Sequence, residues 1–260
     1  GHGGMIEALV ANKLLDKYQQ AGIEHFFFGQ IDNPLSPTCC PELIGFHSLT
    51  DSAVTLQAIA KQDAQDKTGN IVQMDGRIQM IEYTEMPPQL AKQITPDGQL
   101  NFWAANIAVH IFKTSFLKQL AQDPTALPFH TAHKTVAHID QLGNQIHPTE
   151  PNAIKFERFI FDSLSVSPKT TVIEADRNFV FAAVKNHAAA SFNTVDTCQQ
   201  AISALHRNWL IAAGVQVDMD ITVEIDPYWA RNAQQVGERP DLPQTIKTDI
   251  FLTSSRSTAR

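Results

Sequence analysis

Several short segments carry residue types that bind phosphorylated, hydroxyl-rich ligands. In Phe26-Phe27-Phe28-Gly29-Gln30-Ile31-Asp32-Asn33-Pro34 an apolar run of strand length ends in an acid, an amide and a proline. Such runs with a polar break read as buried parallel strands. Open α/β sheets hold ligands and their metals beyond those carboxyl ends. Asp32 is thereby placed to hold a cation bridging phosphates; the alternative is an Asx turn before Pro34. Lys185 follows an apolar stretch, Phe179 to Ala183, and could deliver charge to a phosphate. An ordinary surface lysine fits the same pattern.

Other segments offer hydrogen bonds rather than charge. Gly1-His2-Gly3-Gly4 precedes a helical pattern. Glycines there let backbone approach a ligand, and a helix N-terminus favours an anion or a polar base edge. A flexible chain end reads the same way. Glu82, in Glu82-Tyr83-Thr84-Glu85 at a strand end, could accept from sugar hydroxyls or simply face water. Asn106 lies in an apolar strand and must find partners, in the core or in a ligand.

The elements that position these residues follow from pattern. Met5 to Gln20 has helical apolar spacing, with Gly22 as its stop. Val54 to Ala60 reads as a strand. Asp75-Gly76 joins Asn70–Met74 to Arg77–Tyr83 as a hairpin, in which alternation puts Glu82 and Thr84 on one face. Phe102 to Phe112 reads as a central strand and Ser115 to Gln122 as a helix. Asn152 is placed to cap a helix running through Phe156 and Phe161. Thr171 to Glu174 and Ile221 to Ile225 read as strands, Val195 to Ala213 as a helix closed by Gly214, and Thr253 to Arg260 as a frayed tail. Alternating helices and strands define the α/β class.

Composition narrows the partners. The 260 residues are 43% hydrophobic and 18% charged, with 20 Lys+Arg against 27 Asp+Glu, a net charge of -7. No basic run suits a nucleic acid, and an anionic ligand needs local positive charge or a cation. Three cysteines, with Cys39 and Cys40 adjacent, make no disulfide framework and fit a reducing cytoplasm. No run is long enough to span a bilayer. His130, His133, His138 and His147 invite a zinc reading, but no His-Glu-x-x-His occurs. Gly-x-Ser-x-Gly, Gly-x-Gly-x-x-Gly and Walker motifs are also missing, which leaves hydrolase, dehydrogenase and P-loop readings unsupported.

Taken in order, the segments resemble the UDP-sugar pyrophosphorylases, the UTP:sugar-1-phosphate uridylyltransferases. Gly1-His2-Gly3-Gly4 is similar to that family's Gly-Asn/His-Gly-Gly, and Ile31-Asp32-Asn33 to its Val-Asp-Asn. Pro41 with Ile44-Gly45-Phe46 matches Pro-x-x-Ile-Gly-Phe, and Glu82-Tyr83-Thr84-Glu85 matches Glu-Tyr-Ser-Glu, with Gly69 opening the hairpin before it. Asn106-Ile107-Ala108 with His110 and Phe112 resembles Gly-Asn-Ile-Ala-x-His-x-Phe. Pro151-Asn152-Ala153-Ile154-Lys155-Phe156-Glu157 through Phe159, Phe161 and Asp162 resembles Pro-Asn-Gly-Ile-Lys-x-Glu-x-Phe-x-Phe-Asp, and Lys185-Asn186 the Lys-Asn after Phe-x-Pro. The likeness runs from residue 1 to about 235.

The resemblance implies a nucleotidyltransferase-type, Rossmann-like mixed sheet flanked by helices, incomplete at its N-terminus, with a small C-terminal α+β region. It divides the chain into 1–190 and 191–260. It implies transfer of UMP from UTP to a sugar 1-phosphate, releasing pyrophosphate. By resemblance His2, Gly3 and Gly4 touch uridine; Gly69, Glu82, Asn106 and Phe161 line the sugar pocket; Asp32 holds Mg²⁺; and Lys185 meets the phosphates. Departures accompany it. The family's Gly-rich triphosphate loop has no counterpart here, Cys40 stands for its usual Asp, Pro37 for a frequent Lys, Ala105 for Gly and Ala183 for Pro. These departures favour a fragment inactive alone, with a non-catalytic UDP-sugar binder or degenerate paralogue as the alternative.

Overall fold

A computed structural model describes residues 1–123 and 125–254. The chain packs as two units: Gly1–Phe28 with Thr38–Glu174, and Gly29–Pro37 with the chain from Ala175 onward. These packing units cut the chain elsewhere than 1–190 and 191–260.

The first unit contains α1 (Gly4–Ala11), α2 (Leu14–Gln20), β1 (His25–Phe28), α3 (Pro41–Leu49), β2 (Val54–Ala60), β3 (Gly69–Met74), β4 (Arg77–Ile81), α4 (Pro88–Ala91), β5 (Ala104–Lys113) and α5 (Thr114–Gln122). After these come β6 (His130–Lys134), β7 (His138–Ile139), β8 (Gln145–Ile146), β9 (Ala153–Glu157), a 3-10 helix (Ile160–Val166) and β10 (Thr170–Glu174). The main sheet runs β10-β2-β5-β3-β4, with β1 also on β5. Within this sheet β10 and β2 pair in parallel, and β5 is antiparallel to β1, β2 and β3. The sheet is mixed, as the α/β reading requires. Val54, Leu56, Phe112, Leu117, Ile160 and Leu164 form its core with Ile6 and Leu15.

Four expectations are corrected. First, the apolar strand ends at Phe28 rather than at Asp32, and its neighbour β5 runs antiparallel. A triple-Phe run records burial and not direction, because both pairings bury the same rings. Asp32 lies beyond the strand end, in the segment that packs with the second unit. Second, Met5–Gln20 is two helices, broken at Lys13, whose φ of 54° is left-handed. Third, β4 stops at Ile81, and Glu82 opens a turn in which its carbonyl accepts from the Glu85 and Met86 N–H groups. Strand alternation therefore does not place Glu82. Fourth, Asn152 caps no helix. Its Oδ1 accepts from the Val136 N–H at 2.8 Å and its Nδ2 donates to the Val136 carbonyl at 3.0 Å. That tie starts β9 alongside β6, and Phe161 falls in the following 3-10 helix.

The hairpin is as expected. Asp75 and Gly76 take φ of 51° and 76°, the left-handed pair that a tight two-residue turn needs, and β3 pairs with β4 from Met74↔Arg77 to Asn70↔Ile81.

The second unit contains α6 (Arg177–Val180), α7 (Val195–Ala212), β11 (Gln216–Val217), β12 (Val223–Ile225), α8 (Ala233–Gly237), β13 (Thr245–Ile246) and β14 (Ile250–Leu252). Thr194 and Thr197 form a capping box at the start of α7, and Gly214, at φ 88°, ends it. Leu210, Val223, Ile225, Trp229 and Val236 bury one core, while Leu35, Ala182, Cys198 and Leu205 bury another. The expected tail at Thr253–Arg260 lies, from residue 255 on, outside the described residues. Among the described residues no helix is long and apolar enough to cross a membrane.

Candidate active site

The candidate residues fall into two groups, one in each unit. In the first unit, sheet register gathers three of them. Gly69 pairs directly with Asn106, and the next pair along, Asn70↔Ile81, leaves Glu82 as the residue immediately after β4. A Cβ at Gly69 would run into Met80 Sδ, so any larger residue there has to displace the end of that side chain.

Asn106 is held by its own strand. Its Oδ1 accepts from the Ala108 N–H at 3.0 Å and pairs with His110 Nε2 at 3.2 Å. Ala108 takes a φ of 57°, costly for a residue with a Cβ. With Oδ1 engaged twice, Asn106 has its amide N–H groups to offer a ligand. His110 is fully buried, and burial, aided by nearby His2, drives its pKa down to about 3. The neutral ring donates through Nε2 to Asn106, and its Nδ1 is left without a partner.

The ring of His110 stacks on Phe28 at 5.7 Å and 16°. Phe28 in turn lies 5.6 Å from His2, and His2 lies 5.4 Å from Phe161 and 5.2 Å from Phe159. The Ile160 N–H donates to His2 Nδ1 at 3.0 Å. Burial lowers the His2 pKa. A neutral imidazole with a fixed acceptor nitrogen suits stacking and hydrogen bonding better than ion pairing. Gly3 donates its N–H to the Arg158 carbonyl at 2.8 Å, and an added Cβ would sit 2.9 Å from Arg158 backbone carbon. Gly4 begins α1 with open space beside it. The structure thus brings His2, Gly3, Gly4, Phe161, Asn106, Gly69 and Glu82 into one connected region at one end of the sheet.

In the second unit, Asp32 and Lys185 meet. Lys185 Nζ lies 3.2 Å from Asp32 Oδ2 and 3.5 Å from Gln30 Oε1. The segment around Asp32 is tied down along its length. The Val184 N–H donates to the Asp32 carbonyl at 2.8 Å. Buried Asn33 donates to the Val180 carbonyl at 2.8 Å and accepts from the Ala182 N–H at 2.9 Å. Asp32 Oδ1 is buried and has no partner. A carboxylate oxygen in that condition is costly unless a cation or donor joins it. It fits a divalent ion of the Mg²⁺ kind, which binds through one or two carboxylates and completes its shell with substrate phosphate and water.

Several participants are not among the candidate site residues. His110 and Ala108, present in the Asn106 motif without an assigned role, orient Asn106 through the left-handed Ala108. Lys61, beside β2, hydrogen-bonds Asn70 Oδ1, and burial lowers its pKa. His130, read as part of a histidine cluster, lies between two carboxylates instead. Its Nδ1 is 3.0 Å from Glu85 and its Nε2 3.0 Å from Asp162. A cleft of about 520 Å³ lined by Gln19, His25, Asp51 and Lys113 opens at the other end of β5 and contains none of the candidate residues.

The mixed sheet, the flanking helices and these two groups define a nucleotidyltransferase-type α/β protein. The family model of UTP–glucose-1-phosphate uridylyltransferase matches residues 1–227. The chain belongs to that family. It is similar to the UDP-N-acetylglucosamine pyrophosphorylase of Saccharomyces cerevisiae (strain ATCC 204508 / S288c), 34% identical over 229 residues, covering 86% of this chain and 48% of that protein. It is 32% identical over 218 residues to the human UDP-N-acetylhexosamine pyrophosphorylase-like protein 1, covering 83% and 43%. The crystal structure of the Trypanosoma brucei UDP-N-acetylglucosamine pyrophosphorylase with inhibitor shares the fold, with a TM-score of 0.77 at 23% identity, over 93% of this chain and 51% of that one. A solved structure from Entamoeba histolytica superposes with a TM-score of 0.87 at 31% identity, over 97% and 62%. The chain spans about half the length of the curated relatives it matches.

Proposed function

We propose that this chain carries the uridine, sugar and phosphate-binding residues of a uridylyltransferase that makes a UDP-sugar from UTP and a sugar 1-phosphate. The observation that carries the reading is the Lys185–Asp32 pair with its unpartnered Oδ1, in a chain that belongs to this family. The relatives' names make N-acetylglucosamine 1-phosphate the first sugar to test.

The chemistry is a displacement at phosphorus. An oxygen of the sugar phosphate forms a bond to the α-phosphorus of UTP, the α–β phosphoanhydride bond breaks, and pyrophosphate leaves with the electron pair. No covalent intermediate on the protein is needed, so alignment and charge neutralisation carry the rate. Lys185 places an ammonium where negative charge builds up. Asp32 holds that ammonium and would supply a carboxylate to Mg²⁺. The ion, when bound, neutralises and orients phosphate oxygens. His2, Gly3 and Gly4 would hold the uracil, while Gly69, Glu82, Asn106 and Phe161 would hold the sugar.

The test is Mg²⁺-dependent pyrophosphate release from UTP, with N-acetylglucosamine, glucose and galactose 1-phosphates compared, in the full gene product and in the 260-residue chain. Release by the full product but not by the chain supports an inactive fragment; no release with any sugar by either sinks the enzyme reading. The substitutions at Cys40 and Ala183 favour a second reading, a UDP-sugar binder without turnover. It predicts binding of UDP-sugar, and only a modest loss of affinity in Lys185→Ala.

A further inference from the structure

His130 stands on β6, outside the residues assigned above, with both ring nitrogens committed. Nδ1 lies 3.0 Å from Glu85 Oε1 and Nε2 lies 3.0 Å from Asp162 Oδ2. Carboxylates accept and do not donate, so both bonds form when the ring carries two N–H groups. The side chains are shielded to different degrees: His130 is 22% exposed, Asp162 12% and Glu85 50%.

The two carboxylates belong to different walls of the same region. Glu85 sits in the turn opened by Glu82, and its N–H donates to the Glu82 carbonyl at 2.9 Å. Asp162 follows Phe161 on the 3-10 helix. The His130 ring packs 4.8 Å from Phe159, which stacks on Phe161 at 4.8 Å and 23°. At the far end of β4, Arg77 donates to the Ser165 carbonyl at 2.7 Å. The β4 ribbon and the 3-10 helix are therefore tied at two points, and His130 makes the tie beside Glu82 and Phe161. The other charged groups nearby have their own partners: Glu157, opposite His130 in the β6–β9 register, pairs with Lys155 at 3.0 Å, and Arg158 pairs with Glu7 and lies over the Phe129 ring.

We propose that His130 is a positioning residue: by bridging Glu85 and Asp162 it sets the spacing between Glu82 and Phe161, and so the grip on the sugar of a UDP-sugar. What it positions rests on the uridylyltransferase reading. A shift in one wall of a site costs alignment with a fitted ligand; the Gly3 contact to the Arg158 carbonyl and the start of α1 at Gly4 do not pass through the bridge.

The experiment is calorimetric titration of the 260-residue chain with UDP and with UDP-N-acetylglucosamine, repeated in His130→Gln and Glu85→Ala. One amide at position 130 cannot reach both carboxylates. The expected result is a loss of about tenfold in UDP-N-acetylglucosamine affinity in each variant, with UDP affinity unchanged within about twofold. The double variant should be no worse than either single one, because both cut the same bridge. Equal losses for both ligands, or no loss for either, overturn the proposal. If the unsubstituted chain binds neither ligand, it does not form the sugar site by itself and the positioning role proposed here is overturned, while the uridylyltransferase reading stands or falls on pyrophosphate release by the full gene product. Should His130→Gln not fold, Glu85→Ala, altered at a half-exposed carboxylate, decides the matter alone.

Discussion

Lys185 Nζ lies 3.2 Å from Asp32 Oδ2, while Oδ1 of the same carboxylate is buried and without a partner. The pair holds an ammonium in place and leaves one anionic oxygen unsatisfied. Lys185→Ala should lower the rate of pyrophosphate release on the order of 10²–10³-fold, as loss of a charge-stabilising donor does. The melting temperature should barely change, because the ammonium is well exposed. A rate within a few-fold of the unsubstituted protein would remove Lys185 from the chemistry.

Asn33 holds the Asp32 segment rather than any ligand. It is 4% exposed and makes two hydrogen bonds to backbone, with Val180 and Ala182. Asn33→Ala leaves both backbone groups unsatisfied and should cost about 2–4 kcal/mol. Denaturant unfolding measures this, and a cost below about 1 kcal/mol, the worth of one ordinary hydrogen bond, would show that water replaces the amide.

Two glycines separate backbone from side-chain constraint. A Cβ at Gly3 meets backbone of Arg158, which cannot swing away; at Gly69 it meets the flexible end of Met80. Gly3→Ala should therefore destabilise by about 1–3 kcal/mol, and Gly69→Ala by less. Thermal melts of the two variants give the comparison, and the reverse order would contradict it.

Buried histidines set the acid limb of stability. His110 and His47 are fully buried, with pKa values lowered to about 3 and about 4, chiefly by burial. Each is neutral in the fold and gains a proton more readily when unfolded. Their contribution is complete above about pH 6.5, the ordinary histidine value, and declines as pH falls toward 4. His47 Nδ1 bonds Thr55 Oγ1 at 2.8 Å, so His47→Asn should retain a polar contact and flatten the slope. Denaturation midpoints between those two pH values test it; an unchanged slope counts against His47 as a source.

His130 has the opposite sign. Burial works against its charge, but the hydrogen bonds with Glu85 and Asp162 outweigh that and raise its pKa. Its contribution is present below about pH 6.5 and is lost as pH rises through its raised folded value. Glu85→Gln should shrink that loss. Denaturation midpoints taken upward from neutral pH measure it, and an identical profile in the variant would place the bridge outside the stability of the fold.

The sequence by itself determined the α/β class, the Asp75-Gly76 hairpin, the α7 helix and, through the order of its motifs, the family. All of these are written in neighbouring residues: φ > 0 at a turn, apolar spacing along a helix, a run of matched segments. It also placed His2, Asn106 and Phe161 among the candidates without saying what held them. The tertiary structure alone decided that β1 runs antiparallel to β5, that Asn152 opens a strand, that His130 bridges two carboxylates, and that Lys185 meets Asp32. Each depends on contacts between residues far apart in the chain, and local pattern is silent about those. An apolar run packs equally well in either direction, and a histidine takes its role from whichever groups the fold brings to its two nitrogens.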